Sequence, residues 1–228
     1  MADRYFTQAS FDFLGQLAAN NDRGWFDDHK QQYEDTVRTP ALRFITDIAD
    51  DLMAISPHFR AVPKKVGGSL MRVQRDIRFG KDKRPYKTNI GIHFRHEVGK
   101  DVHAPGFYLH IEPGECFVGV GIWRPDSTAL NKIRDAIVEN EKAWKSAIGE
   151  QKFAGQFAIS GESLKNPPRG YSKDHPLLED LKRKDFIAIS TLSEKSVTST
   201  QLLGQAVERF QVAQPYMRFL CHALELRC

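Results

Sequence analysis

Residues 107–123, FYLHIEPGECFVGVGIW, decide the fold class of this 228-residue chain. Apolar residues alternate with polar or small ones from Phe107 to Glu112 and again from Phe117 to Trp123. Because successive side chains of a β-strand point to opposite faces, this alternation predicts two strands, each with a buried face and a more polar face. The Glu-Pro-Gly-Glu sequence between the two runs favours a tight turn, so we expect an antiparallel hairpin.

The same period of two extends this hairpin into a larger sheet. It occurs at residues 71–73 and 90–94, which predicts a mostly antiparallel meander, and an apolar run at residues 186–189 predicts one more strand. Apolar residues at helical spacing fill the first third of the chain and most of the chain after residue 125. The sequence contains no linker or repeat. We therefore expect a single α+β domain over residues 1–228, with N-terminal and C-terminal helices covering the sheet.

The composition sets only broad limits on function. A hydrophobic content of 41% with 27% charged residues is typical of a soluble globular protein. No apolar run approaches the roughly 18 residues of a membrane span, and the N-terminus lacks a secretory signal, so a cytoplasmic protein without a membrane partner is expected. The three cysteines are too few and too scattered for a disulfide framework or a zinc site. The sequence leaves the cofactor and the oligomeric state open.

A basic segment, residues 72–87 (RVQRDIRFGKDKRPYK), differs in charge from the rest of the chain. It contains seven positive and two negative side chains, a net charge of +5, whereas the whole chain carries +4. Such a local excess of positive charge is typical of a site that attracts anions. Arginine offers a planar fork that suits carboxylate or phosphate, and lysine adds a compact positive charge.

From these properties the sequence predicts binding of a small phosphate- or carboxylate-bearing ligand on a basic, polar face of the sheet. The candidate ligand-binding residues, which include one cation from a later loop, are Arg72, Arg75, Arg78, Lys83, Lys87 and Arg169. Whether the protein is an enzyme is left open. If it is one, the candidate acids and bases are Asp76, Tyr86, His93, Tyr108 and His110.

Other interpretations of the basic segment stay open. Residues 78–87 fit a nucleic-acid or protein-binding loop, in which lysines contact phosphates while Phe79 and Tyr86 stack on bases. The segment also fits a solvated hairpin tip with surface ion pairs. Alternatively, its arginines stabilise the fold through buried ion pairs, because Arg75 falls on the apolar side of its strand and needs a partner such as a carboxylate elsewhere in the fold.

A group of histidines raises the question of a metal. Four of them lie close together in the sequence, with two glutamates nearby: His93, His96, His103, His110, Glu97 and Glu112. Metal ligands must converge, and two strand residues an odd number apart face opposite ways. Separate histidines on the polar face or in loops are therefore favoured, and no metal site is predicted.

Several short motifs give the chain a resemblance to a known family. They are Asn20-Asn21 to Trp25-Phe26, Arg75-Asp76 to Arg78-Phe79, Lys81-Asp82-Lys83 to Pro85-Tyr86-Lys87-Thr88, Gly106-Phe107-Tyr108, Gly121-Ile122-Trp123 and Pro168-Arg169-Gly170. Together they resemble the bacterial family catalogued as domain of unknown function 2461, from about Phe6 to beyond Phe186. The basic segment is the most specific part of this resemblance. The family has no assigned activity, so the resemblance implies kinship without naming a substrate.

Overall fold

The computed structural model describes residues 4–78, 82–99 and 104–228. Three residues invoked above, Phe79, Lys81 and His103, lie outside these ranges. Within them, an antiparallel sheet of six strands is combined with helices that precede, interrupt and follow it, so the predicted α+β fold class is confirmed. No helix in the described part of the chain is both long enough and apolar enough to cross a bilayer.

The strands occupy the middle of the chain and its later part. They are β1 (Phe59–Arg60), β2 (Ile90–His96), β3 (Gly106–Glu112), β4 (Glu115–Ile122), β5 (Ala158–Ser160) and β6 (Phe186–Leu192). Their order across the sheet is β1-β2-β3-β4-β6-β5. The predicted hairpin is present as β3 and β4, with Glu112 paired to Glu115 and Gly114 at a φ of +82° in the turn. A positive φ favours glycine, which explains the Pro-Gly sequence of this turn.

The strand predicted at residues 71–73 does not form as a continuous strand, so that prediction was wrong. Isolated bridges replace it, one from Leu70 to Ile92 and one from Gln74 to Tyr86. Leu70 therefore borders β2, while Gln74 pairs back onto the basic segment itself. The described parts of the basic segment, residues 72–78 and 82–87, pair with each other and leave the edge of the sheet as the two arms of a hairpin, called the basic hairpin below.

The helices form two groups. Before the sheet lie α1 (Gln8–Ala19), α2 (Arg23–Asp28), α3 (Lys30–Tyr33), a π-helix (Glu34–Arg38), α4 (Thr39–Asp47) and α5 (Ala49–Ile55). After β4 lie α6 (Ser127–Glu139), α7 (Glu141–Gly149), α8 (Gln151–Gln156), α9 (Leu178–Leu181), α10 (Glu194–Val197), α11 (Leu202–Val212) and α12 (Gln214–Ala223). Pro215 lies in the first turn of α12 and so separates it from α11, because proline lacks the N–H that a helix interior needs.

The hydrophobic core lies between one face of the sheet and these helices. Phe107, Leu109 and Ile111 on β3 are at most 1% exposed, as their alternation predicts. Phe210 of α11 packs on Phe107 with ring centroids 4.7 Å apart. The opposite face of the sheet carries the intervening side chains, and it is there that the candidate site lies.

Candidate functional site

A cavity of about 370 Å³ lies on the face of the sheet opposite the core. Strands β2, β3, β4 and β6 build it, together with the residue that precedes the basic segment. Its lining side chains are Met71, His93, Tyr108, Phe117, Trp123, Ile187 and Ile189. Most of these groups are apolar, and an apolar concavity with a few polar groups is the usual form of a small-molecule site.

Glycines give the cavity its depth, because they leave the backbone of the sheet bare at its floor. Gly106, Gly119 and Gly121 all line it, and Gly106 and Gly121 face each other across β3 and β4. A methyl group on Gly106 would lie 2.2 Å from Nε2 of His93. At Gly121, where φ is +116°, it would lie 2.0 Å from the carbonyl oxygen of Phe186. Both positions therefore require glycine.

His93 is the polar group that stands out in this apolar wall. Burial lowers the pKa of its imidazole to about 4, and the positive charge of Arg95, two residues along β2, lowers it further. The ring is therefore neutral at pH 7. Among the described residues the imidazole accepts or donates no side-chain hydrogen bond, although its ring meets Tyr108 edge-on at 6.2 Å.

Tyr108 connects the cavity with a chain of polar side chains along β3. Its hydroxyl lies 3.1 Å from Nδ1 of His110, and Nε2 of His110 lies 3.3 Å from a carboxylate oxygen of Glu112. The other oxygen of Glu112 accepts a hydrogen bond of 2.5 Å from the hydroxyl of Thr88. Burial raises the pKa of Tyr108 to about 12, so its phenol stays protonated. This chain can hold a hydroxyl and an imidazole in fixed orientations.

Three arginines of the basic segment bind its two aspartates. Arg78 donates two hydrogen bonds to the Asp76 carboxylate, through Nε at 3.0 Å and Nη2 at 2.7 Å. Arg75 and Arg84 both donate to Asp82, at 2.5 and 2.7 Å. These contacts hold the pKa of both carboxyl groups well below the usual range. Charged groups that are paired within the segment have less to offer to an external anion.

The three other described cations of the segment make no ion pair shorter than 4.0 Å. Lys83 donates through Nζ to the carbonyl oxygen of Ile77 at 2.9 Å. Lys87 is half-buried, and its pKa is lowered by that burial and by the positive charges of Arg72 and Arg75. Arg72 reaches Asp76 only at 4.0 Å, with 67% of its side chain exposed.

The hairpin is anchored by a polar contact that links distant parts of the chain. The side-chain amide of Asn21 accepts from the backbone N–H of Tyr86 at 3.0 Å and donates to its carbonyl oxygen at 3.1 Å. The Tyr86 ring stacks on Phe26, with centroids 4.1 Å apart. Tyr86 is therefore a buried docking residue of the hairpin, 6% exposed.

The structure thus divides the predicted site residues into separate places. Of the acid and base candidates, His93 and Tyr108 share the cavity wall and His110 lies directly behind Tyr108. Asp76 and Tyr86 belong to the basic hairpin. Arg169 is exposed on the loop after β5, the strand at the opposite edge of the sheet from the hairpin. The carboxylate partner of Arg75 is Asp82, in the same segment, rather than a residue elsewhere in the fold.

Sequence reasoning missed most of the cavity. The available signal was the glycines at Gly91, Gly119 and Gly121, all on the polar side of predicted strands, because a glycine inside a strand often marks a close approach. No sequence signal brings Ile187 and Ile189 opposite Gly121 and Gly119. That contact depends on β6 pairing with β4, which joins residues about 70 positions apart.

Comparison with known proteins gives one family. The model of a family described as conserved hypothetical protein (DUF2461) matches residues 9–219, nearly the whole chain. No curated protein and no solved structure gives a significant match.

Proposed function

The chain belongs to the family of conserved hypothetical proteins DUF2461, and we propose that it binds a small molecule with an apolar body and one anionic group in the cavity over Gly119. The observation that supports this proposal is the neutral imidazole of His93, which is without a hydrogen-bond partner among the described residues. The His93 side chain is partly buried and lines the cavity, so its ring is open to a molecule bound there. A ligand that reaches His93 would supply the missing contact.

The apolar part of the ligand follows from the cavity wall. The apolar wall combines the flat ring of Phe117, the branched side chains of Ile187 and Ile189, and the unbranched side chain of Met71. Trp123, 45% exposed, also lines the cavity. Burial of apolar ligand surface contributes about 25 cal/mol per Å², so these side chains would supply most of the affinity. A planar or short aliphatic body fits such a wall better than a sugar or a bare phosphate.

The anionic part follows from the charges around His93. Arg95 lies near enough to lower the pKa of that imidazole, so the potential at this end of the cavity is positive. A neutral imidazole can donate one hydrogen bond to a carboxylate or phosphate oxygen. Since the arginines of the basic hairpin are bound to Asp76 and Asp82, the hairpin would contribute through its long-range field rather than by direct contact.

The fluorescent probe anilinonaphthalene sulfonate tests this proposal, because it combines an aromatic body with an anion. We expect saturable binding to the folded protein and competition by small aromatic carboxylates. Gly119→Leu should weaken the binding at least tenfold while the protein stays folded, since a side chain at Gly119 enters the cavity and its first carbon meets only ordinary contacts of 3.5 Å or more.

The matched control for this experiment is Gly155→Leu, which adds the same atoms to an exposed position of α8 with no heavy atom within 4 Å. It should bind the probe like the wild type, and circular dichroism should show both variants folded. Equal probe binding by Gly119→Leu and Gly155→Leu would mean that the cavity is not the binding site.

Nucleic-acid binding by residues 78–87 stays the alternative prediction. The described part of this range includes Arg78 and Arg84, and both already donate to aspartates of the same hairpin. We therefore expect no mobility shift of DNA or RNA at physiological salt. A shift that weakens steeply as salt is raised would favour the alternative.

A further inference from the structure

A second group of side chains converges at the turn between β3 and β4. The imidazole of His110 and the carboxylates of Glu112 and Glu115 place one ligand-type atom each within 4.8 Å of one another. Antiparallel pairing causes this convergence, because Glu112 and Glu115 are directly opposite in the ladder and His110 lies two residues before Glu112 on the same face. The hairpin thus builds a three-residue set of nitrogen and oxygen ligands from only six residues of chain.

We infer that His110, Glu112 and Glu115 bind a divalent first-row metal ion of the Mn²⁺ or Fe²⁺ type. Carboxylates suit Mn²⁺ and imidazole suits Fe²⁺, so one nitrogen and two carboxylates match ions of this group. Three protein ligands leave positions free for water or substrate, as in catalytic metal sites. This inference is independent of ligand binding in the cavity.

The charges of the hairpin support a cation at this place. Like charges directly opposite each other on paired strands destabilise a sheet. Glu112 and Glu115 are such a pair, and Glu115 forms no ion pair with any described residue. Arg84 is close enough to Glu112 for their charges to interact, but its guanidinium hydrogen-bonds to Asp82. A divalent cation between the two glutamates would remove their repulsion.

The contacts around the three side chains orient them as ligands. Nδ1 of His110 lies 3.1 Å from the Tyr108 hydroxyl, which leaves Nε2 directed at Glu112. The hydroxyl of Thr88 holds one oxygen of Glu112 and leaves the other for a metal. Metal-binding histidines and carboxylates usually have such supporting hydrogen bonds, which fix the tautomer and the orientation of the ligand.

The distance between the first two ligand atoms also fits. Nε2 of His110 and Oε2 of Glu112 are 3.3 Å apart. Two ligands at about 2.1 Å from one ion are separated by about 3.0–3.4 Å in octahedral or tetrahedral geometry. Glu115 is exposed, so its side chain can turn toward the ion at little cost.

The site would lie next to the cavity but outside it. Phe117 lines the cavity and stacks on the His110 ring, with centroids 4.6 Å apart. Tyr108 also lines the cavity, and its hydroxyl contacts His110. Phe117 and Tyr108 would therefore lie between a metal at the turn and a molecule bound over Gly119. The two sites can be tested separately.

Titration of the chelator-treated 228-residue protein with Mn²⁺ tests the inference. The electron paramagnetic resonance signal of free Mn²⁺ and calorimetry both measure the binding. Mn²⁺ is preferred to Zn²⁺ because thiols such as that of the exposed Cys228 bind zinc well. We expect one Mn²⁺ per chain. Glu115→Gln should weaken binding at least tenfold without lowering the melting temperature of the metal-free protein, because the substitution also removes the repulsion between Glu112 and Glu115.

The matched control is Glu208→Gln, which removes the same charge from an exposed position of α11. It should bind Mn²⁺ like the wild type. Thr88→Val should weaken binding by about tenfold, the usual effect of removing a supporting hydrogen bond. The inference would be overturned by the absence of saturable Mn²⁺ binding, or by equal Mn²⁺ binding of Glu115→Gln and Glu208→Gln. Gly119→Leu should lose binding of the fluorescent probe and keep binding of Mn²⁺.

Discussion

The basic hairpin and the cavity differ in how their polar groups are satisfied. In the hairpin, Arg75, Arg78 and Arg84 donate to two aspartates of the same short segment, so these three guanidinium groups already have carboxylate partners, although the segment keeps a net charge of +5. In the cavity, a single imidazole lies in an apolar wall without a hydrogen-bond partner among the described residues. We therefore place the proposed site at the imidazole in the concave surface rather than in the segment with the highest charge density.

Three pairs of substitutions test this difference between the hairpin and the cavity, and the largest effect is expected at the cavity floor. Gly121→Ala should destabilise the protein by about 3–5 kcal/mol, because a side chain at positive φ is strained and the new methyl group meets a backbone oxygen. Gly119→Ala, two residues away on the same strand, meets only ordinary contacts and should change stability by about 0.5 kcal/mol or less. Denaturant unfolding of both variants measures the difference, and equal midpoints would contradict the proposed packing of the floor.

The second effect is the pH dependence of stability that arises from His93. The folded pKa is about 4 and the ordinary value is 6.5, so between these pH values the unfolded chain binds a proton that the folded chain does not. The contribution of the neutral ring to the free energy of unfolding is therefore complete above pH 6.5 and is lost as the pH falls to 4. A shift of this size corresponds to about 3 kcal/mol.

Comparison with variants isolates this contribution. Between pH 4 and pH 6.5 the free energy of unfolding of the wild type should rise in part because of His93, and His93→Gln should lose that part of the rise. Replacement of the exposed His222 by Gln should leave the pH dependence of the unfolding free energy unchanged. Unfolding free energies measured at several pH values provide the test. If His93→Gln and wild type have the same slope, His93 is not buried in its neutral form.

The smallest effects are expected in the basic hairpin. Asn21→Ala should destabilise the protein by about 1–3 kcal/mol, because it leaves the N–H and the carbonyl of Tyr86 without partners at a part-buried position. Arg75→Ala should leave the unfolding midpoint unchanged within error, since its ion pair with Asp82 is partly exposed to solvent. A larger loss for Arg75→Ala than for Asn21→Ala would restore the interpretation in which the arginines hold the fold together.

Much of the fold could be predicted because its determinants are local. Alternation over residues 107–123 and the Pro-Gly turn specify the β3–β4 hairpin, and Pro215 specifies the division between the last two helices. Where local signals conflict, the prediction failed. Residues 71–73 alternate like a strand, yet the basic hairpin that follows leaves the sheet edge, so only isolated bridges form.

The site was less accessible from the sequence, because it depends on contacts between distant residues. The alternation correctly placed His93, Tyr108 and His110 on one face of the sheet. Proximity in the sequence alone grouped Asp76 and Tyr86 with them, although Tyr86 is buried against Phe26.

The sequence by itself determined the fold class, the central hairpin and the polar face, since each follows from the period of the side chains and from turn chemistry. The tertiary structure decided which charges remain available and where a concavity forms. Ion pairing within the hairpin depends on the approach of Asp82 to Arg75, and the cavity depends on β6 pairing beside β4. The cavity is not encoded in a short stretch of chain, because it arises where residues distant in sequence exclude water together.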